Sequence, residues 1–576
     1  MSVERSLTDY EEKEEDKPIS KVKNNSTNGK KAEELAKGQR DIGVAEFFAR
    51  NKHLLGFDNK RKALMTTIKE AVDNALDACE EASILPEIYV EIVDMENDRF
   101  RIIVEDNGPG IVKKQIPKIF AKLLYGSKFH SLKQSRGQQG IGISAAVMYG
   151  QMTTGRAAKI ISKTDENKPA HYYELKLDTK KNAPEILKDE VKEWSKDHGT
   201  KIVIDLEASY QKGSQSIDSY LKETAIANPH VTIVYVNPKA EQKIFPRAIK
   251  ELPKEAKEIK PHPYGVELGT IIKMLSSSKA KTLQQFLTSE FSRVTKKVVE
   301  DICGNAHVDP KTKPKKINRD NAEKIIKAIA KTKIMAPPTD CISPIGEEEL
   351  EKGLRKEVNA EFYAATSRSP CVYSGNPFQV EAAIAYGGNQ PGDKQITIMR
   401  YANKVPLLFQ QGACGFTKAI TQTKWKSYGL NQSQKSIPIG PMTLVVHIAS
   451  VWVPFTSESK EAVAHYPEII NEIRLALQEV GRKLSSYTRK KKRIKEEFKK
   501  RNYIEKYIPH LAGAIKDLVG LNAEKTAKLE TQLKELLEKD RGKIAKMVFD
   551  ENANEDFDET YAKDFKEEVE ETEEEE

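Results

Sequence analysis

Apolar positions in the first third of the chain alternate between the spacing of a helix and that of strands. Leu64, Ile68, Val72, Ala75 and Cys79 recur every three or four residues, which predicts a helix over 63–82. Runs typical of strands follow at 88–94, 99–104 and 200–206, separated by polar turn residues. Because strands and helices alternate, we predict an α/β sandwich for this part of the chain.

The pattern changes twice further along the chain. From about 261 to 333 it predicts short helices separated by basic loops, and from about 371 strands return at 379–385, 395–401 and 443–453. After Thr456 a long helical segment is predicted, with its pattern interrupted at Pro467 and Gly481. The longest apolar stretch, 442–455, is too short for a transmembrane helix and is typical of a buried strand.

Length and charge narrow the class of protein. The 576 residues are enough for several domains, and the five cysteines lie far apart, without the spacing of a zinc site or a disulfide framework. Residues 1–40 and the acidic end are polar and are expected to be disordered, and no secretory signal is visible. We therefore expect a soluble intracellular protein without a membrane partner, in an archaeal cytoplasm or, in a eukaryote, the nucleus.

The net charge of +8 is unevenly distributed. From 550 to 576 there are 15 acidic and 2 basic residues, a local charge of −13, so the other 549 residues carry +21. A basic body with an acidic tail is compatible with a nucleic-acid partner, and equally with an ordinary solvated surface.

The first candidate for chemistry lies on the predicted helix over 63–82. Glu70, Asn74 and Asp77 are spaced i, i+4 and i+7 and therefore share one helix face. A carboxylate and a carboxamide one turn apart can hold a water and a hydrated Mg²⁺ side by side. The alternative is a solvated helix face with no ligand.

The second candidate is the sequence Glu-Asp-Asn-Gly-Pro-Gly at the end of the strand over 99–104. Gly108 and Gly110 allow a tight turn and the close approach of a ligand. Asp106 would then lie at the end of the strand as a fixed acceptor for an exocyclic amine. An ordinary turn is the alternative.

The third candidate is a glycine-rich segment, 136–146, that leads into a helix predicted to begin near Ile143. Gly137, Gly140 and Gly142 follow the spacing G-x-x-G-x-G, which differs from that of a P-loop. Such a loop turns backbone N–H groups toward one point and suits phosphate. The basic segment before it, 122–136, is a candidate lid over a nucleotide.

The order of these three features resembles the N box and the two glycine boxes of the GHKL ATPase superfamily. His198-Gly199-Thr200, entering a strand, resembles its Gly/Thr box. Glu70 argues against a histidine kinase, whose corresponding box lacks the water-activating glutamate.

Within that superfamily the chain most resembles the B subunits of DNA topoisomerase VI, a type IIB topoisomerase. The resemblance is carried by Ala45-Glu46-Phe47-Phe48 with Gly56-Phe57, and by the stretches 124–146, 261–266, 400–407 and 425–430. It implies a multidomain α+β protein. A GHKL (Bergerat) α/β sandwich is expected at 41–257, a helix-two-turns-helix domain at 258–338 and a ribosomal-S5-like transducer ending in a long helix at 339–490. A helical segment contacting the A subunit is then expected at 491–550, between the disordered leader 1–40 and the tail 551–576.

The resemblance also implies roles for individual residues. Glu70 would be the general base, Asn74 the Mg²⁺ ligand, Asp106 the reader of the adenine amine, and Lys426 the transducer lysine that reaches the γ-phosphate, with Lys424 as its neighbouring competitor. The remaining residues expected to bind ATP are Gly110, Ser127, Lys128, Gly137, Gln138, Gln139, Gly140, Ile141, Gly142, Ile143, Ser144 and Thr200.

The implied function is ATP binding and hydrolysis in a topoisomerase that passes one DNA duplex through a double-strand break made by the A subunit. The implied assembly is an A2B2 heterotetramer in which ATP binding dimerises the B subunits around double-stranded DNA. Candidate DNA contacts are the basic stretches 311–316 and 489–493. Two alternatives remain open on the sequence, a MutL-like DNA-repair ATPase and a scaffold that binds ATP without hydrolysing it.

Overall fold

The computed structural model of the protein describes residues 35–37, 42–126, 131–137, 140–213, 215–457 and 459–539. The expected disordered leader lies largely outside these residues, and the acidic tail lies wholly outside them. Buried hydrophobic clusters mark an N-terminal unit (42–245), a middle unit (263–334) and a C-terminal unit (341–539). Within the described residues, no helix combines the length and the apolar character needed to cross a membrane. The domain limits proposed from the sequence stay predictions.

The N-terminal unit contains an eight-stranded sheet in the order β5-β4-β3-β6-β2-β1-β7-β8. Strands β1 and β7 pair in parallel and the other neighbours are antiparallel. Alternating burial along β1 and β2 shows that one face of the sheet packs on the core. The strands are β1 Glu87–Asp94, β2 Arg99–Glu105, β3 Ala158–Lys163, β4 Ala170–Asp178, β5 Ala183–Lys192, β6 Gly199–Glu207, β7 Thr232–Val236 and β8 Gln242–Phe245.

Helices of the same unit cover the buried face of that sheet. They are α1 Val44–Arg50, α2 Lys60–Glu81, α3 Ile116–Ala121, α4 Gly142–Thr154 and α5 Ile217–Ala227. Helix α2 begins where the Asn59 side chain accepts a hydrogen bond from the N–H of Lys62, an N-cap that satisfies a backbone donor. The helix expected over 63–82, the helix expected near Ile143 and the three early strands are confirmed.

The middle unit is helical, as the sequence predicts. Its helices are α6 Leu268–Ser277, α7 Leu283–Glu290, α8 Lys296–Ala306 and α9 Arg319–Lys331. Thr282, Thr295 and Asn318 each cap the helix that follows with a side-chain oxygen. The basic stretch 311–316 lies on the connection between α8 and α9, with its four lysines exposed.

The C-terminal unit contains a second sheet, in the order β10-β11-β14-β12-β13, with β9 paired to β11. Its central strand β14 is buried at all nine positions, which explains the long apolar stretch in the sequence. The strands are β9 Phe362–Ser367, β10 Cys371–Tyr373, β11 Asn376–Tyr386, β12 Thr397–Ala402, β13 Val405–Pro406 and β14 Met442–Ser450. The strand predictions for this region are confirmed.

Four helices complete the C-terminal unit, and one of them is very long. They are α10 Glu347–Glu357, α11 Gly415–Gln422, α12 Pro467–Val519 and α13 Ala523–Lys539. The expectation that Pro467 and Gly481 interrupt α12 is wrong. Pro467 starts the helix, where a missing N–H costs nothing. Gly481 lies inside the helix, and a Cβ there would come within 2.6 Å of the Tyr428 ring, so glycine permits this packing.

Candidate functional site

A cavity of about 650 Å³ opens between the N-terminal and C-terminal units. This volume is in the range of small-molecule sites. Its N-terminal wall consists of α2, the end of β2 and the glycine-rich segment, and its C-terminal wall consists of residues 406–409 and 459–461. Of the expected site residues, those that line it are Glu70, Asn74, Asp106, Gly110, Gly137, Gly140, Ile141, Gly142, Ile143 and Thr200.

Glu70 and Asn74 lie one helical turn apart on the face of α2 that lines the pocket. The Glu70 carboxylate packs against Gly142, the first residue of α4, where a Cβ would overlap its oxygens. The N-terminus of a helix carries a partial positive charge and unpaired N–H groups, so it attracts anions. A carboxylate and a helix N-terminus therefore meet at one point of the pocket.

Asp106 is buried at the end of β2 and is held in a fixed orientation. Its Oδ1 accepts hydrogen bonds from the N–H of Gly108 at 2.8 Å and the N–H of Thr200 at 3.1 Å. These two bonds leave Oδ2 to face a ligand. Burial raises the pKa of the Asp106 carboxyl to about 6, against the opposing effect of the two backbone donors. Gly110 has φ +69°, and a Cβ there would overlap the Lys163 carbonyl oxygen, so both its backbone and its surroundings require glycine.

The glycine-rich segment leads directly into α4, as predicted. Ser144 is buried and donates its hydroxyl hydrogen bond to the Ile141 carbonyl at 2.9 Å, so it does not line the pocket. Four further expected ATP-binding residues, Ser127, Lys128, Gln138 and Gln139, lie outside the described residues.

The C-terminal wall closes the pocket with a short apolar segment. Leu407 and Phe409 are fixed by the buried Arg400 side chain, which donates to their carbonyl oxygens at 2.6 and 2.8 Å. Gln215 of the N-terminal unit donates to the Leu408 carbonyl at 3.2 Å, which ties the two walls together.

Lys460 is the lysine that the C-terminal unit brings to the pocket. Burial lowers the pKa of its ammonium group, and the nearby Glu70 carboxylate favours the charged form. The adjacent Glu461 forms an ion pair with Lys62 on α2 at 3.0 Å, and it accepts a 2.6 Å hydrogen bond from Gln410. These contacts hold the 459–461 loop on helix α2.

Lys426 does not line the pocket. It lies exposed on the short turn Trp425–Tyr428, which packs on α12. Trp425 is fully buried and donates its indole N–H to the Ile420 carbonyl at 2.9 Å, and Tyr428 contacts Gly481. Both aromatic side chains thus anchor the turn to the core of the C-terminal unit. Lys424 is also exposed and also lies away from the pocket lining.

Asp77 is buried, although its spacing places it on one face with Glu70 and Asn74. It accepts a hydrogen bond at 2.8 Å from Arg136, the residue at the end of the candidate lid. Positions i and i+7 differ by only about 20° in direction, and Ala78 and Glu81, further along α2, line the pocket, so distance along the helix does not exclude Asp77. Its carboxylate is instead engaged by the Arg136 guanidinium. Sequence spacing identifies the helix face but not which side chains on it are already paired.

Two parts of the site have no distinctive local sequence signal. Lys460 follows Thr-Ser-Glu-Ser and resembles any surface lysine in a polar loop. Leu407 belongs to a stretch that supports the family resemblance, but nothing in its local pattern places it at a ligand. Both reach the pocket only through the docking of one unit on the other.

The sequence of the chain is similar to two described families and to several named proteins. The protein family described as "Topoisomerase VI B subunit, transducer" matches residues 337–500, and the family described as "Histidine kinase-, DNA gyrase B-, and HSP90-like ATPase" matches residues 59–209. A relative from Methanosarcina barkeri, named as the B subunit of type 2 DNA topoisomerase 6, is 53% identical over 489 residues, which cover 85% of this chain and 79% of that relative. The proteins of the same name from Methanosarcina mazei and Archaeoglobus fulgidus are 54% and 50% identical. Those alignments cover 84% and 83% of this chain and 78% and 80% of the relatives.

Proposed function

Since the chain belongs to the family of topoisomerase VI B subunits, we propose that its 650 Å³ pocket binds ATP and that Glu70, Asn74, Asp106 and Lys460 carry out its turnover. Membership makes the chain the ATP-hydrolysing subunit of a type IIB DNA topoisomerase, with a GHKL ATPase fold and a transducer fold. These matches give no support to a MutL-like repair ATPase.

Glu70 acts as the general base. Its position against the first residue of α4 supports this role, because a γ-phosphate bound at that helix end would lie beside the carboxylate. Glu70 takes a proton from a water as the water attacks the γ-phosphorus, and the bond to the leaving ADP oxygen breaks. This contact between Glu70 and the helix end is the observation that carries the proposal.

Asn74 would hold Mg²⁺ beside the bound nucleotide. Its exposed carboxamide faces the pocket one turn after Glu70, and an amide oxygen is a suitable ligand for this ion. When bound, the ion would neutralise phosphate charge.

Asp106 accepts a hydrogen bond from the exocyclic amine of adenine through Oδ2, because Oδ1 already accepts hydrogen bonds from two backbone N–H groups. The backbone of 137–144 surrounds the phosphates, with Ser127, Lys128, Gln138 and Gln139 as further candidates from the sequence. Thr200 completes the adenine end through its contact with Asp106.

Lys460 contacts the γ-phosphate. Its place in the pocket lining and its electrostatic interaction with Glu70 support this role, whereas Lys426 and Lys424 have the sequence resemblance alone. A cation supplied by the C-terminal unit lets that unit respond to the state of the nucleotide.

The partners are an A subunit, which makes the double-strand break, and double-stranded DNA. We propose an A2B2 assembly in which ATP binding dimerises the B subunits as a gate. The exposed lysines of 311–316 and the basic stretch 489–493 on α12 are candidate phosphate contacts. The archaeal source of the relatives favours an archaeal cytoplasm as the place of action.

Relaxation of a supercoiled plasmid by the full-length chain with its A subunit tests this function. We expect relaxation and phosphate release to require both ATP and Glu70. A chain that dimerises with ATP but releases no phosphate would instead be the scaffold considered above. Relaxation by Glu70→Gln at the wild-type rate would overturn the assignment of the base.

A further inference from the structure

A second, smaller cavity lies beyond the nucleotide pocket, where the end of the candidate lid meets the C-terminal unit. Its volume is about 70 Å³, and its lining is almost entirely polar or charged. The side chains that matter here are those of Asp77, Glu80, Arg136, Ser343 and Lys404. Asp77 and Glu80 belong to α2, and Arg136 ends the candidate lid. Ser343 and Lys404 belong to the C-terminal unit, so three parts of the protein meet at this cavity.

Arg136 anchors the end of the candidate lid on α2 through two acidic side chains, Asp77 and Glu80. Its guanidinium donates to Asp77 at 2.8 Å and to both oxygens of Glu80 at 2.6 and 2.9 Å. It also donates to the Asn228 side chain. Arg136 immediately precedes Gly137, so the position of this anchor fixes where the phosphate-binding segment begins.

Lys404 approaches the same acidic pair from the C-terminal unit. It is 4% exposed, and its ammonium donates to the Ser343 hydroxyl at 3.2 Å. Burial lowers the pKa of this lysine, and Glu80 and Asp77 favour its charged form. A buried lysine without such carboxylates would lose its proton or be excluded.

The backbone at Lys404 is unfavourable for lysine. Asn403 and Lys404 form the two-residue turn between β12 and β13, with φ +49° and +68°. Such a turn favours glycine at its second position, because other residues are strained there. A lysine placed at this position, with its ammonium group buried, indicates that the side chain has a use other than forming the turn.

Further hydrogen bonds join the same turn and its neighbour to the lid. Asn403 donates from Nδ2 to the Ser135 carbonyl at 3.1 Å. Gln134 exchanges two side-chain hydrogen bonds with the backbone of Ser343, at 2.7 and 3.0 Å. The two residues that immediately precede Arg136 are therefore held by residues of the C-terminal unit.

We propose that Lys404 is a positioning residue for ATP binding, which couples the docking of the C-terminal unit to the placement of residues 131–137, the described end of the candidate lid. In the docked state Arg136 and Lys404 supply the positive charge beside Asp77 and Glu80. Glu80 also contacts His230, whose pKa is lowered by burial. Glu381, which also acts on Lys404, is paired with His447 within the C-terminal unit. When the C-terminal unit rotates away, Lys404 leaves and the buried cluster keeps one uncompensated negative charge. Lid placement and docking therefore favour each other, and ATP, which needs the lid, favours the docked state in turn.

This inference rests on the proposed binding of ATP in the neighbouring pocket, and charge balance provides its test. Lys404→Met removes one positive charge, Glu80→Gln removes one negative charge, and the double variant restores neutrality. We expect each single variant to raise the KM for ATP about tenfold and to change kcat less than about twofold. The double variant should return the KM to within about threefold of the wild-type value.

The measurement is ATP hydrolysis by the full-length chain, assembled with its A subunit on supercoiled plasmid. Lys418→Met, an exposed lysine on α11, is the matched control and should leave KM and kcat unchanged. Lys404→Asn is a second variant that tolerates the left-handed backbone while removing the cation, so a folding defect of Lys404→Met does not block the test.

A KM like that of the Lys418→Met control in both Lys404 variants would overturn the inference. So would a double variant whose KM rises by the product of the two single effects, because a purely structural role predicts additive damage. If Glu70→Gln is inactive and the Lys404 variants keep the wild-type KM for ATP, this inference alone fails. No ATP hydrolysis by the wild-type assembly would mean that the proposed function itself fails.

Discussion

The N-terminal wall of the nucleotide pocket is formed by a 22-residue helix and the end of a central strand, whereas the C-terminal wall is formed by loops. Glu70 and Asn74 have their relative positions fixed by the pitch of one helix. Lys460 owes its place to the Glu461–Lys62 ion pair and to the docking of one unit on another. The first wall is suited to chemistry that needs fixed geometry, and the second to a contact that must form and break with the nucleotide.

This difference predicts how substitutions in the two walls should behave. Removing a side-chain group on the N-terminal wall should abolish one step of ATP binding or hydrolysis without affecting the C-terminal wall. Removing a contact on the C-terminal wall should weaken the response of the C-terminal unit while leaving nucleotide recognition largely intact. Four substitutions test this contrast, from the largest expected effect to the smallest.

Glu70→Gln should reduce ATP turnover by about 1,000-fold, because general base catalysis typically contributes a factor of that size. Binding of ATP should persist, since the amide keeps the shape of the side chain. Single-turnover phosphate release together with a nucleotide-binding titration would check both halves. Loss of ATP binding together with ATP turnover would mean that the N-terminal wall does not separate binding from hydrolysis.

Lys460→Ala should lower kcat about 100-fold through the loss of a cation at the γ-phosphate, an electrostatic contribution of a few kcal/mol. Lys426→Ala and Lys424→Ala are the matched controls, because both side chains are exposed lysines of the same unit. Steady-state hydrolysis of the three variants side by side decides between them. A larger loss in Lys426→Ala than in Lys460→Ala would restore the residue favoured by sequence resemblance.

Asp106→Asn should weaken ATP binding about 30-fold, because an amide nitrogen would meet the adenine amine and leave two donors facing each other. The wild-type kcat/KM for ATP should also fall as the pH is lowered through about 6. The pKa of the buried carboxyl is raised to about 6, so the acceptor form is present above that pH and is lost below it. An Asn variant that keeps the same pH dependence would show that another group titrates.

Lys62→Met should raise the KM for ATP about threefold, the smallest effect of the series. The half-buried ion pair with Glu461 holds the Lys460 loop on α2, and its loss should loosen that loop without changing the N-terminal wall. Lys418→Met again serves as the control. An unchanged KM would show that the apolar contacts of 407–409 suffice to hold the C-terminal wall.

The N-terminal wall could be predicted from the sequence because its signals are local. The spacing of Glu70 and Asn74 and the glycines around Asp106 each reflect one helix or one turn. Residues of the glycine-rich segment also line the pocket, so all three sequence features meet there as expected. The Ser144 hydroxyl turns back to its own helix start, so the expected contact of Ser144 with ATP stays a prediction for its backbone.

The C-terminal wall could not be predicted, because its residues are hundreds of positions away from those they meet. Lys426 was favoured by its neighbours Trp425 and Tyr428, yet these aromatics bury themselves against α12 and leave the lysine exposed. Lys460 has no such neighbours. Its role depends on the tertiary docking that places 459–461 on α2, which no local periodicity encodes.

The 53-residue helix α12 also has a mechanical consequence. At 1.5 Å per residue it is about 80 Å long, so a rotation of about 10° at its base would displace its far end by about 14 Å. Its base packs on the Trp425–Tyr428 turn, within the unit whose loops form the C-terminal wall of the pocket. The helix would therefore serve as a lever arm for any rotation of that unit, so that a small change at the pocket would become a large movement at the far end.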